Sequence, residues 1–229
     1  MASSATRLAV LLSVLFVGAG FLAVAPARAA GVTQKTVYRY YPVRGRTALD
    51  MVTHMHSNGL HGVGRFDKAY ATLDMDFKVL GTTRQSADRC HIANFGLALS
   101  FKVTLPRLVS RTRRDARRQF TGFQRFARRH ELHHRKLYLG CVRRGVRRIR
   151  KFSSIGNCDA WIDKAGAVLV EEFKLCNRQH EAFDRQEQAR LLKTALMRTA
   201  IRQSLRVNVA SARRGTLERE IRRRWSHDR

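Results

Sequence analysis

The chain of 229 residues predicts an α+β fold, in which a small antiparallel sheet is followed by a long two-helix unit. Three observations carry this expectation. Residues 72–79 and 93–105 alternate apolar and polar side chains, the period of a half-buried strand. From about Thr112 to Ile149 the apolar residues recur at steps of three and four, the period of one helix face. After a Ser-Ser-Ile-Gly-Asn break, a second helical pattern starts near Asn157 or Cys158 and runs on toward Leu205.

Residues 1–29 read as a secretory signal, with Arg7 at its basic start, an apolar run from Leu8 to Ala25, and Ala27-Arg28-Ala29 as cleavage site. An uncleaved anchor is the alternative, because the run approaches bilayer-spanning length. Residues 30–206 then form one α+β domain, with the sheet in 34–107 and the helices in 110–206, ahead of a basic tail at 207–229. Thr36–Val43 is a strand, and Pro42 marks it as an edge. Gly45 turns the chain, and Thr47 with Asp50 three residues on caps a short helix through Leu49, Val52 and Met55. Gly59, Gly62 and Gly64 form a loop. The nearby His54, His56 and His61 lack a cysteine or acid at ligand spacing, so a second metal there has little support. Leu73, Met75, Phe77 and Val79 mark one strand. Ala93 through Leu105 mark a longer one, stopped by Pro106, with a bend or bulge expected at Gly96. The segment from Arg213 to Arg229 is charged enough to fray.

Within the first long helix, His130-Glu131-Leu132-His133-His134 spells H-E-x-x-H. Residues four apart share a helix face, so His130 and His134 can offer two imidazoles to one metal ion. Both fall on the apolar stripe of Phe120, Phe123, Ala127, Leu137, Tyr138, Cys141 and Val142, which turns them inward. Glu131 would flank the ion as a general base, the zincin-like arrangement. His133 lies three residues from His130 and could compete as a ligand. The alternative is a basic helix with core-facing or solvated histidines.

Loss of Arg7 and Arg28 with the signal takes the formal charge from +28 to +26. Between Arg111 and Lys151 there are 16 Lys or Arg against the two acids Asp115 and Glu131. Such a field attracts lipopolysaccharide, phospholipid, nucleic acid or acidic polypeptide, and charge alone does not choose among them. Aromatic residues barely interleave with the basic helix, which argues against base stacking. The arginines should also stabilise the Glu131 carboxylate and weaken it as a base.

Four cysteines in an exported chain suggest disulfides. Cys158 and Cys176 share a helix, where their separation spans roughly 27 Å, far beyond bonding distance. Cys90 is then joined to one of those two.

The chain resembles a family of predicted bacterial secreted zinc-dependent proteases that is filed as a domain of unknown function. The resemblance rests on Tyr38-Arg39-Tyr40-Tyr41-Pro42-Val43-Arg44-Gly45 with Thr47-Ala48, and on Asp67-Lys68-Ala69-Tyr70-Ala71. Cys90-His91-Ile92, Thr104-Leu105-Pro106-Arg107, the H-E-x-x-H, Cys158-Asp159-Ala160 and Phe183-Asp184 continue it in order, over about 36–187. It implies a role in the periplasm or at the cell surface, with Cys90 and Cys158 as the disulfide. The family pattern follows a Tyr-Asp pair with T-x-H-G, whose histidine could be a third ligand; here Arg185-Gln186-Glu187-Gln188 follows instead. Phe66 stands where relatives carry a histidine-containing loop. A catalytic zinc needs three protein ligands. Glu187 or Asp184 is therefore the candidate third ligand, with Glu171, Glu172 and His180 as outside choices.

Two functions follow as expectations. One is a secreted or periplasmic zinc metallopeptidase acting on peptide or protein substrates, with His130 and His134 on the metal and Glu131 as base. The other is an inactive, cationic envelope protein that binds anionic partners. A structural zinc domain without turnover would hold metal and hydrolyse nothing.

Overall fold

The computed structural model describes residues 31–61, 68–87, 89–152 and 156–227. The expected signal at 1–29, together with Gly62, Gly64 and Phe66, lies outside them. In chain order come β1 (Val32–Val43), α1 (Ala48–Asn58), β2 (Leu60–His61), β3 (Lys68–Ala69), β4 (Thr72–Ser86) and β5 (Arg89–Leu108). The helices α2 (Arg114–Ile149), α3 (Cys158–Leu192) and α4 (Ala195–His227) follow. The class is α+β: a three-stranded sheet in the order β1-β5-β4, then long helices packed together.

The sheet is mixed, which corrects the antiparallel expectation. β4 is antiparallel to β5, but β1 lies parallel to it, from Val32 opposite Leu97 to Val43 opposite Leu108. Side-chain alternation is the same in either direction, so the pattern could not report it. The edge placement that Pro42 implied for β1 is what the strand order gives. The irregularity expected at Gly96 sits beside it. The register shifts between Leu80 and Thr82, where Gly81 (φ 133°) and Asn94 (φ 56°) take left-handed backbone. Gly96 meets another need, since a Cβ there would lie 2.3 Å from the Gly31 carbonyl oxygen.

β5 is the central strand and supplies the wall of the core. Phe95, Leu97, Leu99 and Phe101 pack on Leu139, Val142, Val146 and Ile149 of α2 and on Trp161, Ala165 and Val168 of α3. Each fully buried Val, Leu, Ile or Phe among them contributes about 1.5–3 kcal/mol by leaving water. A second cluster joins Met51 and Met55 of α1 to Phe120 and Phe123 of α2 and to Leu196, Met197 and Ala200 of α4. The cap read from sequence on α1 is a full capping box, in which the Asp50 N–H donates to Thr47 Oγ1 at 3.2 Å and the Thr47 N–H to Asp50 Oδ2 at 3.0 Å.

The α2–α3 pair is antiparallel. His130 meets Asp184, Cys141 bonds Cys176 and Arg148 meets Glu171, so partner numbers fall as α2 advances. At Gly145 a Cβ would come within 3.1 Å of Leu169, so the two helices approach closely there. Cys90 is bonded to Cys158, which ties the start of β5 to the start of α3.

The second helical pattern is two helices rather than one continuing toward Leu205. The chain breaks at Lys193–Thr194, where Thr194 Oγ1 donates to the Leu191 carbonyl at 2.8 Å and accepts from the Met197 N–H at 3.4 Å. The turn brings Leu196, Met197 and Ala200 back over α1, which an unbroken helix would not do. The backbone expected to fray from Arg213 is helical as far as His227. Among the described residues no helix is long and apolar enough to cross a membrane.

Candidate metal centre

The four-residue spacing on α2 places His130 and His134 on the face turned to α3, and α3 answers with its own pair at the same spacing, His180 and Asp184. His134 Nε2 lies 3.0 Å from His130 Nε2 and 2.9 Å from Asp184 Oδ1, and His130 Nε2 lies 3.2 Å from that same oxygen. These three atoms form a nearly equilateral triangle on two helices.

The donor set fits a metal ion. Ligands at about 2.0–2.1 Å from a tetrahedral zinc stand roughly 3.3 Å from one another. The observed edges come close to that. Asp184 Oδ1 is buried and has no well-oriented hydrogen bond, the position of an acceptor that meets a cation rather than a proton. Two imidazole nitrogens and one carboxylate oxygen are also chemically suited to zinc.

Surrounding groups fix the rings. The second nitrogen of His134, Nδ1, faces His180 Nδ1 at 2.5 Å. His180 Nε2 is turned to Cys176 Sγ at 3.7 Å, beside the disulfide that clamps α2 to α3. Burial, with His134 adding to it, lowers the His180 pKa to about 4, so its ring is neutral and can accept from the His134 Nδ1–H. Phe183 stacks on His130 with centroids 4.9 Å apart and meets His134 edge-on at 5.2 Å.

The charges are set by the same packing. Burial alone would raise Asp184, but the close imidazoles of His130 and His134 outweigh it and hold the carboxyl well below its ordinary range. For His130, burial pulls the pKa down, while Asp184 and the nearby Glu131 reverse the balance and raise it. Glu131 is only 5% exposed. Its burial, opposed by His130 and His134, pushes its pKa up to about 6. This corrects the expectation that the arginines would make Glu131 a weaker base: burial, opposed by the two histidines and not by an arginine, sets the direction.

The residues singled out from sequence separate clearly in space. His130, His134 and Asp184 converge, and Glu131 lies buried beside them. Glu187 does not join the triangle; its carboxylate pairs with Arg190 at 2.7 Å. Glu171 and Glu172 lie nearer the start of α3 and pair with Arg148 and Arg144. His133 is exposed and stacks on Phe183 at 3.9 Å, outside the converging set. His54 and His56 lie on α1, while the His61 side chain is outside what the structure describes. His180, considered only as an outside ligand, stands instead behind His134. Its signal was the His180–Asp184 spacing, which repeats that of His130–His134.

No curated protein and no solved structure matches the chain. A family match covers residues 38–190, a span that includes the second half of β1, the rest of the sheet, α1, α2 and nearly all of α3. The chain belongs to the family described as bacterial protein of unknown function (DUF922), a description that names no activity.

Proposed function

We propose that the protein is an exported zinc-dependent metallopeptidase of the periplasm or cell exterior. The observation that carries this is the convergence of His130 Nε2, His134 Nε2 and Asp184 Oδ1 beside a buried Glu131. When bound, zinc supplies a Lewis acid that lowers the pKa of water and polarises a carbonyl. His130 and His134 would hold it through Nε2 and Asp184 through Oδ1, leaving an open fourth position as a catalytic site requires.

The chain's own groups cover the rest of the chemistry. Glu131, with its pKa near 6, is ionised at neutral pH and can take a proton from water and pass it to the leaving amine. His180 holds the tautomer of His134, and the Cys141–Cys176 bond keeps α3 in register so that Asp184 meets both histidines. Two disulfides accord with an extracytoplasmic location.

The Glu131→Gln variant tests the enzyme reading. It keeps metal but loses peptide hydrolysis by about 10²–10⁴-fold, the range expected for removing a general base. Equal metal content with no hydrolysis by the parent, across a broad peptide library, would leave a structural metal site in its place.

A further inference from the structure

The outer face of α2 carries a pattern that neither the core nor the metal centre uses. Arg118, Gly122, Arg125 and Arg129 recur eighteen residues later as Lys136, Gly140, Arg143 and Arg147. Eighteen residues make five full turns, so the second set repeats the first on the same face, about 27 Å along the axis. All eight positions fall within an arc of about 60°.

The six cations are exposed, and among the described residues Arg118 alone of them has an acid partner, Asp115 at 3.1 Å. The glycines are the second observation. Glycine inside a helix lowers its stability relative to alanine, so its presence needs a reason. Packing gives none. A Cβ at Gly122 would meet nothing within 4 Å, and at Gly140 only the Arg144 tip at 3.7 Å. What each glycine leaves is bare helix between three cations, a shallow cradle.

We infer that this face docks a flexible, linear phosphate polymer that lies along α2 and occupies both cradles. Arginine forks match phosphate oxygens in pairs, and five of the six cations are arginine. The narrow arc argues against duplex DNA, because a helix seated in a groove meets phosphates on both walls. No large apolar side chain is exposed on α2, so the face lacks what a helix buries in a bilayer surface. It also lacks an exposed Phe, Tyr or Trp on which bases could stack. The metal centre is turned about 140° away around the helix axis, so polymer and peptide would not compete. The inference is independent of the peptidase reading.

Titration of the full disulfide-bonded chain at several salt concentrations tests it. The probes are long-chain inorganic polyphosphate, triphosphate, duplex DNA and phosphatidylglycerol vesicles. Long polyphosphate binds at least about tenfold more tightly than triphosphate, which is too short to join the cradles. Arg118→Gln with Arg125→Gln, or Arg143→Gln with Arg147→Gln, lowers long-chain affinity about tenfold and reduces the salt slope by about two. Arg198→Gln with Arg202→Gln on α4 removes the same charge and changes affinity less than about twofold. Gly122→Gln with Gly140→Gln raises the thermal midpoint yet weakens polymer binding, which separates docking from fold stability. Equal losses from the α4 pair would overturn the inference by showing that net charge alone acts. Length-independent binding, or cradle-dependent binding of DNA or vesicles without polyphosphate, would overturn it as well.

Discussion

Asp184 and Glu187 stand three residues apart on α3, yet their surroundings divide their roles. Asp184 meets His130 and His134, whereas Glu187 is turned to Arg190. On the proposed site, Asp184→Asn removes the charged ligand and should therefore lower zinc affinity far more than Glu187→Gln, as read by competition with a metal-binding dye. Comparable losses from the two would move the third ligand away from Asp184. His180→Ala should lower metal affinity about 10–100-fold, the usual cost of losing the partner that orients a ligand. At this scale the sequence was informative about the pair on α2, because a spacing of four fixes a common face regardless of tertiary context. It left the third ligand open between two acids, because which acid turns to α2 depends on how the helices pack. Burial decided the state of Glu131 as well. A count of neighbouring arginines along the chain gave the opposite direction.

The elements show the same division between local and long-range information. Thr47 and Asp50 announced the α1 capping box because both its hydrogen bonds are local. Thr47→Ala should cost about 1 kcal/mol in unfolding free energy, measured by denaturant titration. Burial is the largest single influence on Asp50 and would raise it, but the N–H donors of Thr47 and Arg46, with the Thr47 hydroxyl, together outweigh it and its folded pKa is lowered. A lowered folded pKa means a stability contribution present above the unfolded value and lost as pH falls through the folded one. The difference in thermal midpoint between the parent and Asp50→Asn should thus shrink below about pH 4. A gap that stays constant with pH would show that Asp50 acts without its charge. The break between α3 and α4 was not legible, since Lys193-Thr194 contains neither glycine nor proline. Thr194 serves there as a cap, and covering Met51 and Met55 rewards the turn. The parallel pairing of β1 was hidden for a related reason: alternation fixes which face is buried and leaves strand direction to topology.

For the molecule as a whole, two disulfides and one continuous α2 hold the sheet, the metal centre and the basic face in fixed relation. Cys141 and Cys176 close a loop of 35 residues, and replacing both with serine should cost about 4 kcal/mol by chain entropy. The same change should weaken metal binding, because the bond lies between the helices that carry the proposed ligands. Unchanged zinc affinity in that variant would show that packing alone aligns α2 and α3. The formal charge of +28 is far from evenly used: on α2 Arg144 and Arg148 pair with Glu171 and Glu172 of α3, while Arg118, Arg125, Arg129, Lys136, Arg143 and Arg147 are exposed on the outer face. The central claim is that His130, His134 and Asp184 form one zinc site. Zinc content per chain, compared among the parent, His134→Ala and Asp184→Asn after identical metal-buffered purification, tests it most directly. The account predicts about one zinc in the parent, almost none in His134→Ala and a clear loss in Asp184→Asn. A parent without zinc, or variants that retain it fully, would contradict it.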